Sequence, residues 1–113
     1  MEFAPQDIEE LKTIAPSLRT ADEGGYSYIL IEKLKMPANC TPSEVDALLC
    51  PMLRDGYQSR LYLSEKLTGC NAGLNWNATV RILGRTWYGI SWQTPAGLKL
   101  KEMLLVHLKA FKQ

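Results

Sequence analysis

Apolar residues recur at helical spacing in the last part of the chain and predict a helix there. The repeat covers residues 95–111, and its apolar positions are Leu98, Leu100, Met103, Leu104, Leu105, Leu108 and Phe111. Thr94 is a favourable N-cap residue, and Pro95 is favourable at the first helical position. Lysines occupy much of the rest of this segment, which makes the predicted helix amphipathic.

The first part of the chain predicts a shorter helix followed by strands. The helix is predicted over residues 5–14, where Ile8, Leu11 and Ile14 lie on one side. Alternating, aromatic or β-branched segments then predict strands, which cover residues 17–22, 26–34, 60–67 and 79–83.

Two further segments are ambiguous. Residues 41–44 have the spacing of a capping box, which predicts a helix through about Cys50, but the run is short and ends at Pro51. The residues alone leave helix and strand open, and a strand over 44–50 is favoured because the family resemblance described below implies one there. Residues 86–92 are either a strand or an irregular aromatic segment. The element order predicts an α+β domain with an antiparallel sheet of about four strands, flanked by an N-terminal and a C-terminal helix.

Length and composition indicate one globular domain covering residues 1–113. Hydrophobic content of 46% and charged content of 22% are ordinary for such a domain. A net charge of +1 argues against a nucleic-acid binder, because phosphate recognition relies on excess lysine and arginine. The sequence lacks an apolar run long enough for a membrane span, and its start lacks the features of a signal peptide.

The cysteines, Cys40, Cys50 and Cys70, are odd in number and lack paired spacing. This pattern fits reduced thiols in a cytoplasmic protein better than a disulfide framework. The chain has one histidine, His107, and this histidine with scattered cysteines does not predict a metal site. No feature of the sequence indicates a cofactor.

Three segments, in this order, resemble the ubiquitin-conjugating enzyme (UBC) superfamily. Residues 49–63 are similar to its third and fourth strands, joined by a turn that carries Tyr57. Residues 83–92, with Leu83-Gly-Arg-Thr-Trp87, resemble the prokaryotic family E branch. Trp92-Gln-Thr-Pro95 and the helix after it resemble the tryptophan, proline and following helix of the superfamily. The resemblance covers about residues 5–112 and implies a UBC-like fold.

The resemblance also implies a function in a bacterial ubiquitin-like modification pathway. A member of the superfamily carries its modifier as a thioester and transfers it to an amine, which makes it an acyltransferase. The implied partners are an activating adenylyltransferase, a ubiquitin-like protein and a metal-dependent isopeptidase. Such pathways are linked to phage defence in some bacteria.

The chain departs from the superfamily where the chemistry would be. It has no His-Pro-Asn segment, and the expected nucleophile position, counted back from Trp92, falls at Gly84-Arg85. Acyl transfer needs an accessible thiolate and polar donors for the oxyanion. Cys70, in a Gly/Asn-rich loop, is the best remaining candidate nucleophile, and Asn71, Asn75 or Asn77 is a candidate amide donor.

Other interpretations remain open. The chain is alternatively a non-catalytic UBC-fold adaptor that binds a ubiquitin-like or effector protein, or an unrelated small α+β interaction domain. In either case Cys70 is a loop thiol without a role. Cys50 is expected to be a buried small hydrophobe, His107 to have a structural or surface role, and the tryptophans to lie in the core.

Overall fold

The structure, a computed structural model, describes residues 3–70 and 73–112 and shows an α+β domain. Within these residues it contains two helices and a six-stranded antiparallel sheet with strand order β1-β2-β3-β4-β6-β5. The elements are α1 (Pro5–Lys12), β1 (Leu18–Glu23), β2 (Tyr26–Lys35), β3 (Glu44–Cys50), β4 (Arg60–Leu63), β5 (Trp76–Ile82), β6 (Arg85–Ile90) and α2 (Leu100–Lys109).

The α+β class is as predicted, but the expectation of about four strands is wrong. Strands β5 and β6 form a hairpin, and β6 adds to the sheet by pairing with β4 at Tyr62 opposite Gly89. The turn between them places Leu83 and Gly84 at φ 53° and 75°. Two left-handed residues in succession match the twist of a tight hairpin. The sequence interpretation gave a short strand over 79–83, a turn at Gly84-Arg85 and either a strand or an irregular segment over 86–92, so the hairpin was one of two open alternatives.

One face of the sheet is covered by both helices and holds the larger core. Leu11 of α1 and Leu104 of α2 are fully buried there against strand residues such as Ile29, Leu49 and Leu63. The two helices also contact each other, and α2 contacts β4. The helices therefore form one layer and the sheet forms the other.

The opposite face carries a second buried cluster, whose members are Tyr28, Leu48, Cys50, Tyr62, Ile82 and Trp87. Trp87 is fully buried, and its Nε1 donates to the Ile82 carbonyl at 3.0 Å. Neither helix contributes a residue to this cluster. We call this the open face of the sheet.

Curvature of the sheet explains how the open face is buried. The outer strands of a flat six-stranded sheet would lie about 24 Å apart, at about 4.8 Å per strand spacing. Here the carboxylate of Glu23, at the end of edge strand β1, accepts a hydrogen bond from the Leu83 amide at 3.1 Å. Leu83 follows the other edge strand, β5, so the sheet curls until its two hairpin tips meet.

Helix α2 begins later than the sequence predicts. Its N-cap is Lys99, which makes no side-chain capping bond. Thr94 is buried and its hydroxyl bonds instead to Ser59, so it does not start the helix. No helix in the described residues is long and apolar enough to cross a membrane.

Candidate functional site

The position where the resemblance expects a nucleophile lies at the tip of the β5–β6 hairpin. Gly84 forms the turn there. The Arg85 guanidinium lies 3.0 Å from the Asp46 carboxylate and 4.7 Å from the Trp87 ring centroid. The Lys33 amide and Arg85 both lower the pKa of Asp46. These contacts tie β6 to β3, so this position has a structural role and offers no thiol.

Cys70 is half-buried and packs against the helix-side core. Its side chain interacts with that of Cys40, which is 6% exposed. Burial, and then the hydrogen bond with Cys70, raises the pKa of Cys40 to about 12. Cys70 thus sits beside a second thiol at the edge of the core rather than alone on a solvated loop.

The hydrogen bonds found among the described residues do not join Cys70 to Asn75 or Asn77. Asn71 lies outside the described residues. The side chain of Asn77 donates to the Tyr57 hydroxyl at 2.9 Å and accepts from Arg60 at 3.0 Å. The backbone carbonyl of Asn75 accepts from the Ser91 amide at 2.8 Å. The hydrogen bonds of Asn75 and Asn77 therefore connect other parts of the chain.

Asn77 belongs to a polar cluster that the sequence interpretation missed, formed by Tyr57, Arg60, Asn77 and Ser91. Arg60 is 3% exposed, and its guanidinium lies 4.2 Å from the Tyr57 ring centroid. The ion pairs found among the described residues do not include Arg60. Amide and carbonyl oxygens and aromatic π faces stabilise this buried cation instead.

The Tyr57 hydroxyl lies at the outer end of this cluster. Its contact with Ser91, at 3.2 Å, and then its contact with Asn77 lower the pKa of Tyr57. Gly89 leaves the room that Arg60 needs, since a Cβ there would lie 2.8 Å from a guanidinium nitrogen. An arginine in the otherwise apolar strand Arg60–Leu63 is the sequence signal that marks this cluster.

Three buried polar side chains lie near Arg60. The Ser59 hydroxyl lies 2.7 Å from the Thr94 hydroxyl and 2.8 Å from His107 Nε2. Burial, and then the Arg60 charge, lowers the pKa of His107 to about 4, so its imidazole is neutral at pH 7. The three residues are between 0% and 5% exposed, which leaves a substrate no access to this serine–histidine pair.

The remaining candidates are placed in or against the cores. Cys50 is fully buried on the open face, and burial raises its pKa. Trp76 lies 6.3 Å from the Phe111 ring, and Trp92 Nε1 donates to the Val106 carbonyl at 3.0 Å. In the described part of the chain, no group of three or more histidine, cysteine or acidic residues is arranged to hold a metal ion.

Comparisons with family models, curated proteins and solved structures found no match to this chain. The class of protein is therefore defined by the fold alone, as a two-layer α+β domain with a curled antiparallel sheet.

Proposed function

We propose that this chain is a non-catalytic UBC-like adaptor that binds a ubiquitin-like or effector protein of a bacterial ubiquitin-like modification pathway. The main support for the proposal is the identity of the residues at the tip of the β5–β6 hairpin. A turn glycine and an ion-paired arginine occupy the position at which the resemblance expects the nucleophile. The sequence resemblance supplies the pathway and its other partners, including the activating adenylyltransferase and the isopeptidase.

A binding role also needs a surface, and α2 offers one. Leu105 is 43% exposed and is shared by two adjacent grooves of about 380 and 290 Å³. The second groove is lined by further apolar residues, Ile14, Met36, Pro37 and Leu108. A single exposed apolar residue is ordinary, but apolar residues that adjoin one another in a concave surface are typical of protein-binding sites.

Charge around these grooves indicates the kind of partner. Lys35, Lys109 and Lys112 line them, against one acidic residue, Glu102. Such a surface suits a partner with an apolar centre and an acidic rim, because complementary charge accelerates encounter and disfavours other partners. We therefore place the docking surface for the ubiquitin-like or effector protein on α2.

Binding is tested with a bacterial ubiquitin-like protein, titrated into the purified chain by calorimetry. Leu105→Asp is expected to weaken binding at least about tenfold, as expected for loss of a central apolar contact. Leu53→Asp is the matched control, since Leu53 is also an exposed large apolar residue and its neighbours Met52 and Arg54 pack against the open face of the sheet, away from α2. Equal binding by both variants would reject α2 as the docking surface.

A thioester carrier is the second candidate function, favoured by one observation. Cys70 is partly exposed, whereas Cys40 and Cys50 are buried. If the chain is a carrier, incubation with the activating enzyme, ATP and the ubiquitin-like protein gives an adduct that reductant cleaves. Cys70→Ala would abolish this adduct, Cys70→Ser would give a more stable oxyester, and Cys50→Ala would keep it. Such an adduct would overturn the adaptor proposal, and binding without charging supports it.

A further inference from the structure

Cys40 and Cys70 are distant in sequence but adjacent in the fold. Both belong to the helix-side core, Cys40 as a buried member and Cys70 at its margin. The Cys40 thiol also lies 3.8 Å from the Phe111 carbonyl, which places it under the end of the C-terminal segment. Cys50 lies on the other face of the sheet and is separated from both by the strands.

The backbone holds the two cysteines together. Thr41 and Thr68 form an isolated antiparallel bridge, with reciprocal amide-to-carbonyl hydrogen bonds of 2.8 and 2.9 Å. Paired residues of this kind have Cα atoms about 5.5 Å apart. Cys40 is next to Thr41, and Cys70 follows Thr68 by two residues. Gly69, which lies between Thr68 and Cys70 in the chain, has φ 80°. It approaches the Asn39 carbonyl so closely that a Cβ on it would be 2.4 Å from the carbonyl oxygen.

We propose that Cys40 and Cys70 form a redox modification site, at which a peroxide oxidises the two thiols to an intramolecular disulfide. The overall step consumes two thiols and one hydrogen peroxide and yields one disulfide and two waters. This inference rests on the thiol contact and its backbone frame, and it does not depend on the adaptor or carrier function.

The difference in solvent exposure determines which of the two thiols reacts with peroxide first. Cys70 is the partly exposed one, so its thiolate attacks the peroxide O–O bond, forms a sulfenic acid and releases hydroxide. Cys40, buried beside it, then attacks the sulfenic sulfur. The S–O bond breaks, the hydroxyl leaves as water with the Cys40 proton, and the S–S bond forms. Burial holds Cys40 in its protonated form until that step.

The disulfide would have two effects. It would fix the segment after β4 to the connection between β2 and β3 by a covalent bond, in addition to the isolated Thr41–Thr68 bridge that joins them in the reduced protein. It would also occupy the Cys70 sulfur, so the oxidised chain could not carry a thioester there. The disulfide would therefore leave the binding activity of an adaptor unchanged, whereas it would inhibit thioester formation by a carrier.

The test treats the folded chain with hydrogen peroxide and then alkylates it in denaturant. The wild type is expected to lose two of its three alkylatable thiols, and peptide mapping should recover a 40–70 linkage that reductant cleaves. Its urea midpoint should rise on oxidation and return on reduction. Cys50→Ala is the matched control and should form the same linkage.

Single variants identify the roles of the two sulfurs. Cys40→Ala should give a sulfenic acid at Cys70 that dimedone traps, and Cys70→Ala should leave Cys40 reduced at the same peroxide dose. The proposal is overturned if mapping finds Cys70 oxidised to sulfinic acid while Cys40 stays a free thiol. It is equally overturned if the linkage found joins Cys50 to either partner.

Discussion

At the scale of single residues, a buried serine, threonine and histidine hold parts of the fold together. Ser59, Thr94 and His107 bond to one another out of contact with solvent. Through them, the start of β4 is joined to the segment before α2 and to α2 itself. Each polar atom that is buried needs such a partner, because an unpaired one costs about 1–3 kcal/mol.

His107 makes the stability of the domain depend on pH. The unfolded chain takes up a proton on this histidine near pH 6.5, whereas the folded chain resists it until about pH 4. Lowering the pH through this window therefore favours unfolding, and the full contribution is present only above about pH 6.5. We expect the free energy of unfolding to fall by about 2 kcal/mol between pH 7 and pH 5 from this residue alone.

Urea unfolding followed by tryptophan fluorescence at the two pH values measures this effect. His107→Gln keeps a neutral polar group but cannot titrate, so it should be less stable at pH 7 and lose most of the pH dependence. An unchanged slope in this variant would assign the pH dependence to other groups.

Sequence reasoning located these residues only in part. His107 falls within the predicted helical stripe, and a structural role was one of the expectations for it. Arg60 and Ser59 were not identified, because their partners lie 17 to 48 positions away in the chain. Spacing within one element cannot reveal bonds between elements. The Cys70 and Asn71 hypothesis stays a prediction: Asn71 is outside the described residues, and the structure shows Cys70 beside Cys40.

At the scale of elements, periodicity predicts best where one face of an element is buried. The helical stripe predicted α2, alternation predicted β4, and aromatic and β-branched content predicted β2, whereas β3 was favoured only because of the family resemblance. The ends of α2 were less accurate, since the Thr94 hydroxyl serves a tertiary bond and the helix begins at Leu100. Strand β5 was predicted too short, although apolar and polar residues and the burial of their side chains alternate from Trp76 to Ile82.

Neighbouring leucines of α2 give a matched test of the helix orientation. Leu104 is fully buried and Leu105 is 43% exposed. Leu104→Asp should cost more than about 3 kcal/mol or prevent folding, because it buries an unpaired carboxylate. Leu105→Asp should change stability by no more than about 0.5 kcal/mol. Urea denaturation of both variants measures the difference, and similar losses would contradict the orientation of α2.

The β5–β6 turn gives a second test at this scale. Gly84 has φ 75°, and a Cβ built there meets no atom within 4 Å. A side chain at this position therefore lowers the stability of the domain only through backbone strain. Gly84→Val should destabilise the domain by about 1–2 kcal/mol, whereas Gly84→Asn should be nearly neutral, because asparagine tolerates left-handed backbone. Thermal melting compares the two, and equal melting temperatures would show that the turn relaxes.

At the scale of the whole molecule, the sheet is curled enough to bring its two hairpin tips together. The Glu23 carboxylate, from one edge, holds the Leu83 amide, from the other. The sequence did not indicate this contact, which joins residues 60 positions apart. It depends on the twist accumulated over all the strands rather than on any local pattern.

Removing this contact should loosen the tips without unfolding the domain. In Glu23→Ala, hydrogen exchange of the Leu83 amide should become several-fold faster, while the overall stability changes by less than about 1 kcal/mol because the site is exposed. Glu23→Gln keeps an acceptor oxygen and should lie closer to the wild type. Unchanged exchange in Glu23→Ala would mean that the tips are held together by other contacts.

The sheet lies between two buried clusters, and this arrangement determines how the domain unfolds. Each central strand contributes to both clusters, as Leu48 and Leu49 do on successive positions of β3. The same strands thus carry both clusters, so we expect the domain to unfold without a populated half-folded form. Trp87 reports on one side and Trp76 and Trp92 report on the other, and their fluorescence transitions should coincide as those of a single cooperative unit.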